Sequence, residues 1–415
     1  MASIGDVIFY TLVFFSVYAQ VFFFVTFIEN RKKIVTRKDE KIKLQSYPKV
    51  TIAVPCWNEE RTVYKTIRSL LNLNYPKDKV QIFLIDDGSV DGTLNILNRF
   101  RGYSNIKVFH KENGGKFTAL NLALEHCESD FFGCLDADSL ADKESLVRLM
   151  SYFAKDPSIM AVVPSVVVHN PKNFVQYAQK AEYNMGVYFK KMLSFLGAIH
   201  VTPGPLTIFR KKVFENLGPY RHGHNTEDME IAFRMQKNLY KIEHCSDAYV
   251  YTNTPISVKK LYKQRVRWIY GFINNIIDYK KVIFRKEYGN FALFTLPVGI
   301  ISSISVSYLF GKTVYNIVSF IHSKIVAFNI VGLSLNVKSF SFDPFFINTQ
   351  SVVFLLFSLY FFIFFAMILG RKMTKEKTLF SINELYYFPV FSIVAPFWLV
   401  KGIFNTIMSR KPSWR

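Results

Sequence analysis

The sequence predicts an α/β domain on a mostly parallel sheet, flanked by transmembrane α-helices. Three observations carry this. Short β-branched runs alternate with amphipathic stretches through the centre of the chain, acidic clusters close several of those runs, and long charge-free apolar stretches lie towards both ends. Half of the 415 residues are hydrophobic and 42 are phenylalanine, more apolar mass than a soluble domain needs, so part of it faces lipid. The formal charge of +21 suits a nucleic acid, an anionic membrane or an acidic substrate. No nucleic-acid recognition module is present and many basic residues flank apolar stretches, which sets nucleic acid aside. Cys56, Cys127, Cys134 and Cys245 fall at no metal-ligand spacing and suggest no disulfide framework, so they read as reduced thiols.

Residues 1–30 form the first element, a transmembrane helix. Roughly 22 residues from Val7 to Ile28 carry no charge, enough to cross the hydrocarbon core. No basic start and no small-residue cleavage site mark it as a signal peptide, so it is expected to be retained. Arg31, Lys32, Lys33, Arg37 and Lys38 follow, and positive flanks stay cytoplasmic. The domain after them is therefore expected in the cytosol, and the protein in the cell membrane as a multi-pass chain.

The central domain occupies 48–256. Strands are predicted at Val50–Pro55, Val80–Asp86, Ile106–Phe109 and Phe131–Asp136, and helices at Glu59–Leu73, Asp91–Arg101 and Phe117–Cys127. Such alternation implies a sheet covered on both faces, with its ligand site beyond the carboxyl ends of the strands. Residues 257–285 read as a basic, aromatic amphipathic helix, which as plain structure would lie on a lipid surface. In the region 290–408, Phe291–Phe310, Val352–Gly370 and Leu385–Met408 are long enough to span, with Pro297, Pro389 and Pro396 expected to kink them. Four simple spans leave Arg410, Lys411 and Arg415 outside, against the positive-inside tendency. Either the last segment is re-entrant or Thr313–Leu335 also crosses.

The acidic clusters carry the chemistry. Pro55-Cys56-Trp57-Asn58-Glu59 closes one strand and Asp86-Asp87-Gly88-Ser89 the next, placing carboxylates where a nucleoside can be hydrogen-bonded. As plain structure, Asp87, Ser89 and Asp91 would be turn and cap residues. Asn113-Gly114-Gly115-Lys116 runs into a helix, where close backbone approach and a lysine suit a phosphate, or simply a tight turn. Asp136-Ala137-Asp138 emerges from an apolar strand as an oxygen pair for Mg²⁺ or Mn²⁺, although Ser139 also permits a helix cap. His222 and His224 read as loop residues.

These motifs, in this order and spacing, resemble family 2 glycosyltransferases of the GT-A (nucleotide-diphospho-sugar transferase) fold. Gly204-Pro205-Leu206-Thr207-Ile208-Phe209-Arg210 is similar to the family's acceptor-side strand, Thr226-Glu227-Asp228 to its TED motif, and Gln264-Arg265-Val266-Arg267-Trp268 to the QRxRW signature of the processive membrane branch. That branch includes cellulose, chitin, hyaluronan and poly-N-acetylglucosamine synthases. The likeness covers roughly Val50 to Gly271; it departs at Trp57, where the family has tyrosine, and in the single span before the domain.

The resemblance implies Asp228, with Glu227 beside it, as the catalytic base. It implies Pro55, Asn58, Glu59, Asp86, Asp87, Lys116, Asp136, Gln264 and Arg267 on the donor side, Gly204, Pro205 and Trp268 on the acceptor side, and Asp136 and Asp138 at the Mg²⁺ or Mn²⁺. The implied activity is inverting transfer from a UDP-sugar, of the UDP-N-acetylglucosamine or UDP-glucose type, to a growing β-linked polysaccharide. Export through its own helices and a small membrane accessory subunit fit the same picture. Transfer to a lipid-carried (glycolipid) acceptor is the second reading, and a catalytically silent membrane scaffold a distant third.

Overall fold

The computed structural model describes residues 4–35, 44–331 and 351–412. Arg37, Lys38, Arg415 and the last four residues of the stretch Thr313–Leu335 lie outside the described residues.

Eight strands form one sheet: β1 (Val50–Cys56), β2 (Val80–Asp87), β3 (Ile106–Lys111), β4 (Phe131–Cys134), β5 (Ser139–Ala141), β6 (Ile159–Val168), β7 (Ile208–Arg210) and β8 (Lys241–Thr252). Their order is β3-β2-β1-β4-β7-β6-β8-β5. The pairs β3·β2, β2·β1, β1·β4 and β6·β8 are parallel, while β7 and β5 pair antiparallel to their neighbours. Parallel neighbours need crossovers. The helices α2 (Val63–Leu71), α3 (Thr93–Asn98) and α4 (Lys116–Glu125) supply them. The strand predicted to Asp136 ends at Cys134, leaving both aspartates in the loop beyond it.

Strands β1 and β2 are nearly continuous apolar runs because both faces are covered. On one face Ile52, Val54, Ile82 and Leu84 meet Val63, Ile67 and Leu70 of α2, whose spacing of three and four residues makes one helical stripe. On the other, Ala53, Phe83 and Ile85 are equally buried. Truncating any of these larger side chains to alanine costs about 2–5 kcal/mol. The register Val50↔Val80 through Cys56↔Asp86 brings the ends of β1 and β2 side by side, so both acidic clusters open at one edge.

The remaining helices are α5 (Ser145–Lys155), α6 (Phe174–Phe195), α7 (Lys212–Leu217), α8 (Glu227–Lys237) and α9 (Val258–Asp278), with α1 (Ile4–Val35) before the sheet and α10 (Leu296–Val331), α11 (Ser351–Met373) and α12 (Tyr387–Ile407) after it. Among the described residues four helices are long and apolar enough to cross a membrane: Ile4–Ile34, Phe291–Ile330, Val353–Met373 and Ile382–Ile407. The stretch expected at Phe291–Phe310 and the described part of the alternative one at Thr313–Leu335 lie in one continuous helix as far as Ile330, which runs through Gly311 and Lys312 without a break.

The chain forms two compact units. One takes in residues up to Phe22 and Val298–Phe364, in which Tyr308 donates to the Gly5 carbonyl at 2.8 Å and Lys312 pairs with Asp6 at 3.5 Å. The other holds Phe23–Pro297 and Phe365–Arg415, including the whole sheet and a second core where Val175, Ala178, Leu261 and Val266 of α6 and α9 meet Val390, Trp398 and Leu399 of α12.

Candidate active site

At the ends of β1 and β2 the two loops are stitched together. Asn58, with a left-handed φ of 56°, donates from its N–H to Ser89 Oγ at 3.0 Å and accepts from the Val90 N–H at 2.9 Å. The Glu59 N–H donates to Thr93 Oγ1, and Thr62 donates to the Glu59 carboxylate. Pro55, next to the end of β1, lies beyond the ladder to β4, which stops at Ala53. Asp86 is fully buried; one carboxylate oxygen meets His110 Nδ1 at 2.7 Å, while the other, Oδ1, has no hydrogen-bond partner in the protein.

Asp87 does something different from its neighbour. Its carboxylate accepts from Lys111 Nζ at 2.7 Å and from the N–H groups of Gly114 and Gly115 at 3.1 and 2.9 Å. It therefore holds the glycine loop in place. Gly115 sits at φ 90°, a conformation that side chains resist, and opens α4 directly.

Lys116, first residue of α4, is the centre of the site. Its Nζ lies 2.6 Å from Asp136 and 3.2 Å from Glu227. Burial works against its charge, but Asp136 and Glu227 more than offset this and hold its pKa well above that of a free lysine. Gly204 presses on the same pair: a Cβ there would collide with Lys116 Nζ and come 2.7 Å from Asp136 Oδ1. Pro205 and Leu206 complete this turn, with Leu206 at φ 59° and its N–H bonded to the Cys134 carbonyl at 2.6 Å.

Asp138 points into an excess of negative charge. Burial, then Asp136 and Glu59, push its carboxyl up to about 7. Its side chain accepts one hydrogen bond, from Ser139 at 3.3 Å. Such a group is stabilised by a cation. Among the described residues no three acidic, histidine or cysteine side chains group closely enough to hold an ion unaided. Asp136 and Asp138 could hold an ion only if substrate oxygens completed its shell.

The TED segment opens α8. Glu227 is buried and engaged by Lys116, whereas Asp228 is partly exposed and accepts from the Met229 N–H at 2.9 Å. Burial and the Glu227 charge raise the Asp228 carboxyl to about 6, against the opposing pull of Lys116 and Arg267. Arg267 donates to the Asn225 carbonyl at 2.8 Å and lies in the field of Glu227, Asp228 and Asp136. Gly223, His224 and Asn225 all have positive φ, so a strained turn precedes the motif. Thr202 binds the Asp228 carbonyl through its hydroxyl at 2.8 Å, tying the 202–207 loop to it.

Of the QRVRW residues on α9, Gln264 carries a buried Oε1 with no partner in the protein. Trp268 packs against Arg265, whose guanidinium lies 4.1 Å from the centroid of its ring and pairs with Glu182 of α6 at 2.5 Å. The structure thus joins Lys116, Asp136, Gly204 and Glu227 directly, with Asp228 and Arg267 in their field; it sets Asp86 in its own buried corner and gives Asp87 to the loop. Sequence reasoning missed Gly271 and Asn275. A Cβ at Gly271 would collide with the Thr226 side chain, and Asn275 donates to Thr226 Oγ1 at 3.1 Å. The signal was available: Arg267, Gly271 and Asn275 recur every fourth residue, on one helical face. His224 meets Asp278 at 2.8 Å, and His222 packs edge-on against Phe117.

Residues 51–218 match the family model described as glycosyl transferase family 2. The chain carries a family 2 glycosyl transferase domain. Around this family 2 domain the similarity extends further. A poly-beta-1,6-N-acetyl-D-glucosamine synthase of Staphylococcus epidermidis is 26% identical over 358 residues, 84% of this chain and 83% of that protein. A protein of the same name from Staphylococcus epidermidis strain RP62A is 27% identical over 329 residues, 79% of this chain and 75% of its own. A mannosyltransferase from Pyrobaculum calidifontis, solved in complex with GDP-Man and Mn²⁺, shares the fold of the family 2 domain and its flanking helices with a TM-score of 0.58 at 16% identity, covering 96% of this chain and 99% of that one.

Proposed function

We propose that this chain is a membrane-embedded, inverting glycosyltransferase that extends a β-linked polysaccharide from a UDP-sugar, most specifically UDP-N-acetylglucosamine, with its family 2 domain on the cytoplasmic face. The observation that carries this reading is the arrangement around Lys116: a half-buried lysine whose ammonium pairs with both Asp136 and Glu227, with the partly exposed Asp228 next to Glu227 in the chain. The likeness to the two staphylococcal synthases over most of both chains supports the polymer and the sugar.

The donor's nucleoside fits the edge formed by β1 and β2. The unpartnered Asp86 Oδ1 is a buried acceptor suited to a ring N–H, and leaving it unmade costs about 1–3 kcal/mol or more. Asp87 shapes the loop that would pass beside the diphosphate. Asp136 and Asp138 would hold the divalent ion, Mg²⁺ or Mn²⁺, which when bound neutralises charge on the diphosphate leaving group. Lys116 and Arg267 add fixed positive charge on the same side.

Asp228 takes the proton of the acceptor hydroxyl. Its raised pKa makes it a better base than an ordinary carboxylate while leaving it ionised near neutrality. Glu227 cannot serve as readily, because its carboxylate is spent on Lys116. One base acting in a single displacement inverts the anomeric carbon. Trp268, with Arg265 over one face of its ring, would stack on the terminal acceptor sugar, and Gly204 and Pro205 belong to the acceptor side in the same reading.

The test is incubation of purified protein in lipid with separate nucleotide sugars, following polymer length and nucleotide diphosphate together. Polymer from UDP-N-acetylglucosamine supports the reading. Transfer of a single sugar to lipid favours the glycolipid-acceptor reading, and no transfer from any donor overturns both.

A further inference from the structure

Helix α12 has the length and composition of a membrane span, yet the same domain grips both its ends. At its start the connection from α11 is folded onto α6 and the sheet. Lys180 pairs with Glu376 at 2.8 Å, Asn184 donates to the buried Glu384 at 3.1 Å, and Tyr249 donates to the Met373 carbonyl at 2.7 Å. Arg371, itself buried, pairs with Glu384. At its far end Asn274 of α9 donates to Thr406 Oγ1 at 3.1 Å, and Asn225, in the turn before the TED motif, donates to the Pro412 carbonyl at 3.4 Å. Between them Gly402 lies against Ile269 and Tyr270 so closely that a Cβ would collide with the Ile269 side chain.

A helix of this length covers about 32 Å, the thickness of a hydrocarbon core. A span would put its two ends on opposite sides of that core, where one water-soluble domain cannot hold both. Nor can α9 enter the core alongside it: α9 carries Lys259, Lys260, Lys263, Arg265, Arg267, Asn274, Asn275 and Asp278, and such residues are expensive in lipid. The face of α12 turned away from α9 is an apolar stripe, with Ile393 64% and Phe397 52% exposed and Val400, Phe404 and Ile407 continuing it at helical spacing. Lys401, Arg410 and Lys411 are exposed beside it, and Lys401 and Arg410 lie over the Phe404 ring.

We propose that α12 does not cross the membrane but lies along its surface, with the Ile393–Ile407 stripe in the acyl–headgroup boundary of the leaflet facing the family 2 domain and its basic residues among anionic headgroups. The partner is the lipid leaflet itself. Among the described residues three crossings remain: α1 before the domain, and Phe291–Ile330 and α11 after it, and this even number after the domain returns the C-terminus to the domain's side. Arg31–Lys33, Arg371–Lys377 and Arg410–Lys411 then share one side, which removes the conflict with the positive-inside tendency. The inference goes beyond the proposed activity and holds whichever compartment the domain faces.

The experiment uses the full chain in cells and in inverted membrane vesicles, with Gly102→Cys on the exposed domain surface and, separately, Lys411→Cys on the tail. The four native cysteines are buried, so the unsubstituted protein sets the background for a membrane-impermeant maleimide. Both positions are expected to label from the same side, with loss of labelling from the other. Labelling from opposite sides overturns the proposal. Labelling of both only from outside the cell leaves the proposal standing and sinks the cytoplasmic reading above. Bimane on Ile393→Cys, Phe397→Cys and Ile407→Cys, quenched by lipids with shallow or deep doxyl groups, gives a second measurement. Equal, shallow quenching at all three is expected, and deepest quenching at Phe397 with shallow quenching at Ile407 marks a span and overturns it.

Discussion

Asn275 donates its side-chain amide to the hydroxyl of Thr226 at 3.1 Å, and one turn earlier on the same helix Gly271 leaves the space that Thr226 occupies. A helix remote in sequence thus sets the position of the residue that opens the TED motif. Two consequences differ in kind. Gly271→Ala forces Thr226 aside and with it Asp228; a displacement near 1 Å is commonly worth about a hundred-fold in rate. The expected outcome is a large fall in kcat with donor KM little changed, measured as nucleotide diphosphate release over a donor series. Asn275→Ala leaves a buried hydroxyl with one partner fewer, which costs about 1–3 kcal/mol; a lowered Tm checks it.

Turnover is expected to require Mg²⁺ or Mn²⁺. Burial and the like charges of Asp136 and Glu59 outweigh what the Ser139 hydrogen bond and the Lys116 charge offer Asp138, so a bound cation is what would balance it. Excess chelator should stop sugar transfer and added Mn²⁺ restore it. Asp138→Asn should abolish transfer, and Asp136→Asn, which also frees Lys116 from its 2.6 Å partner, should leave at most a trace. Full turnover in chelator rules the metal role out.

Asp228→Asn should retain nucleotide binding and lose transfer, since the amide keeps the shape of the side chain but cannot take a proton; a positioned base contributes roughly 10²–10⁴-fold. The wild-type pH profile follows from the same group. Burial and Glu227 raise its folded-state pKa, and the base works only when ionised. Activity should therefore fall as pH drops through about 6, higher than for an ordinary carboxylate, and this acidic limb should vanish from whatever residual rate the asparagine variant shows. Near-normal turnover in that variant would transfer the role to Glu227.

Trp268→Ala should lose polymer while keeping slow release of free nucleotide diphosphate. By analogy with base stacking, an aromatic face is worth about 1–3 kcal/mol, so acceptor binding should weaken roughly ten- to a hundred-fold. The donor groups, Asp86, Lys116 and the Asp136/Asp138 pair, are untouched, and water can replace the acceptor. A folded variant that neither elongates nor hydrolyses would instead place Trp268 in support of the donor site. Arg265→Gln removes the guanidinium behind the ring and should show a milder form of the same split.

Asp87→Ala removes the acceptor for Lys111 and for the N–H groups of Gly114 and Gly115. The loop before Lys116 should loosen, raising donor KM more than it lowers kcat; isothermal titration with the nucleotide diphosphate checks it.

Sequence alone determined the alternation of strands and helices in the domain, the acidic clusters at strand ends and the apolar helices around them, because these follow from periodicity and from residues adjacent in the chain. The strands at Val50 and Val80 and the helix at Lys116 were legible for that reason, as was the family likeness in the motifs. Two neighbouring aspartates look alike in a string. Only the tertiary structure made Asp87 an anchor for the glycine loop and left Asp86 Oδ1 unpartnered, because the difference lies in Lys111 and the Gly114 and Gly115 amides folded back from β3. It likewise decided that Glu227 is engaged and Asp228 accessible, since that depends on where Lys116, more than a hundred residues earlier, places its ammonium. Hydropathy measured α12 as long enough to cross a bilayer, but length is a property of one segment. Where that segment lies is set by partners at both its ends, Asn184 and Asn225, which no window along the chain can see.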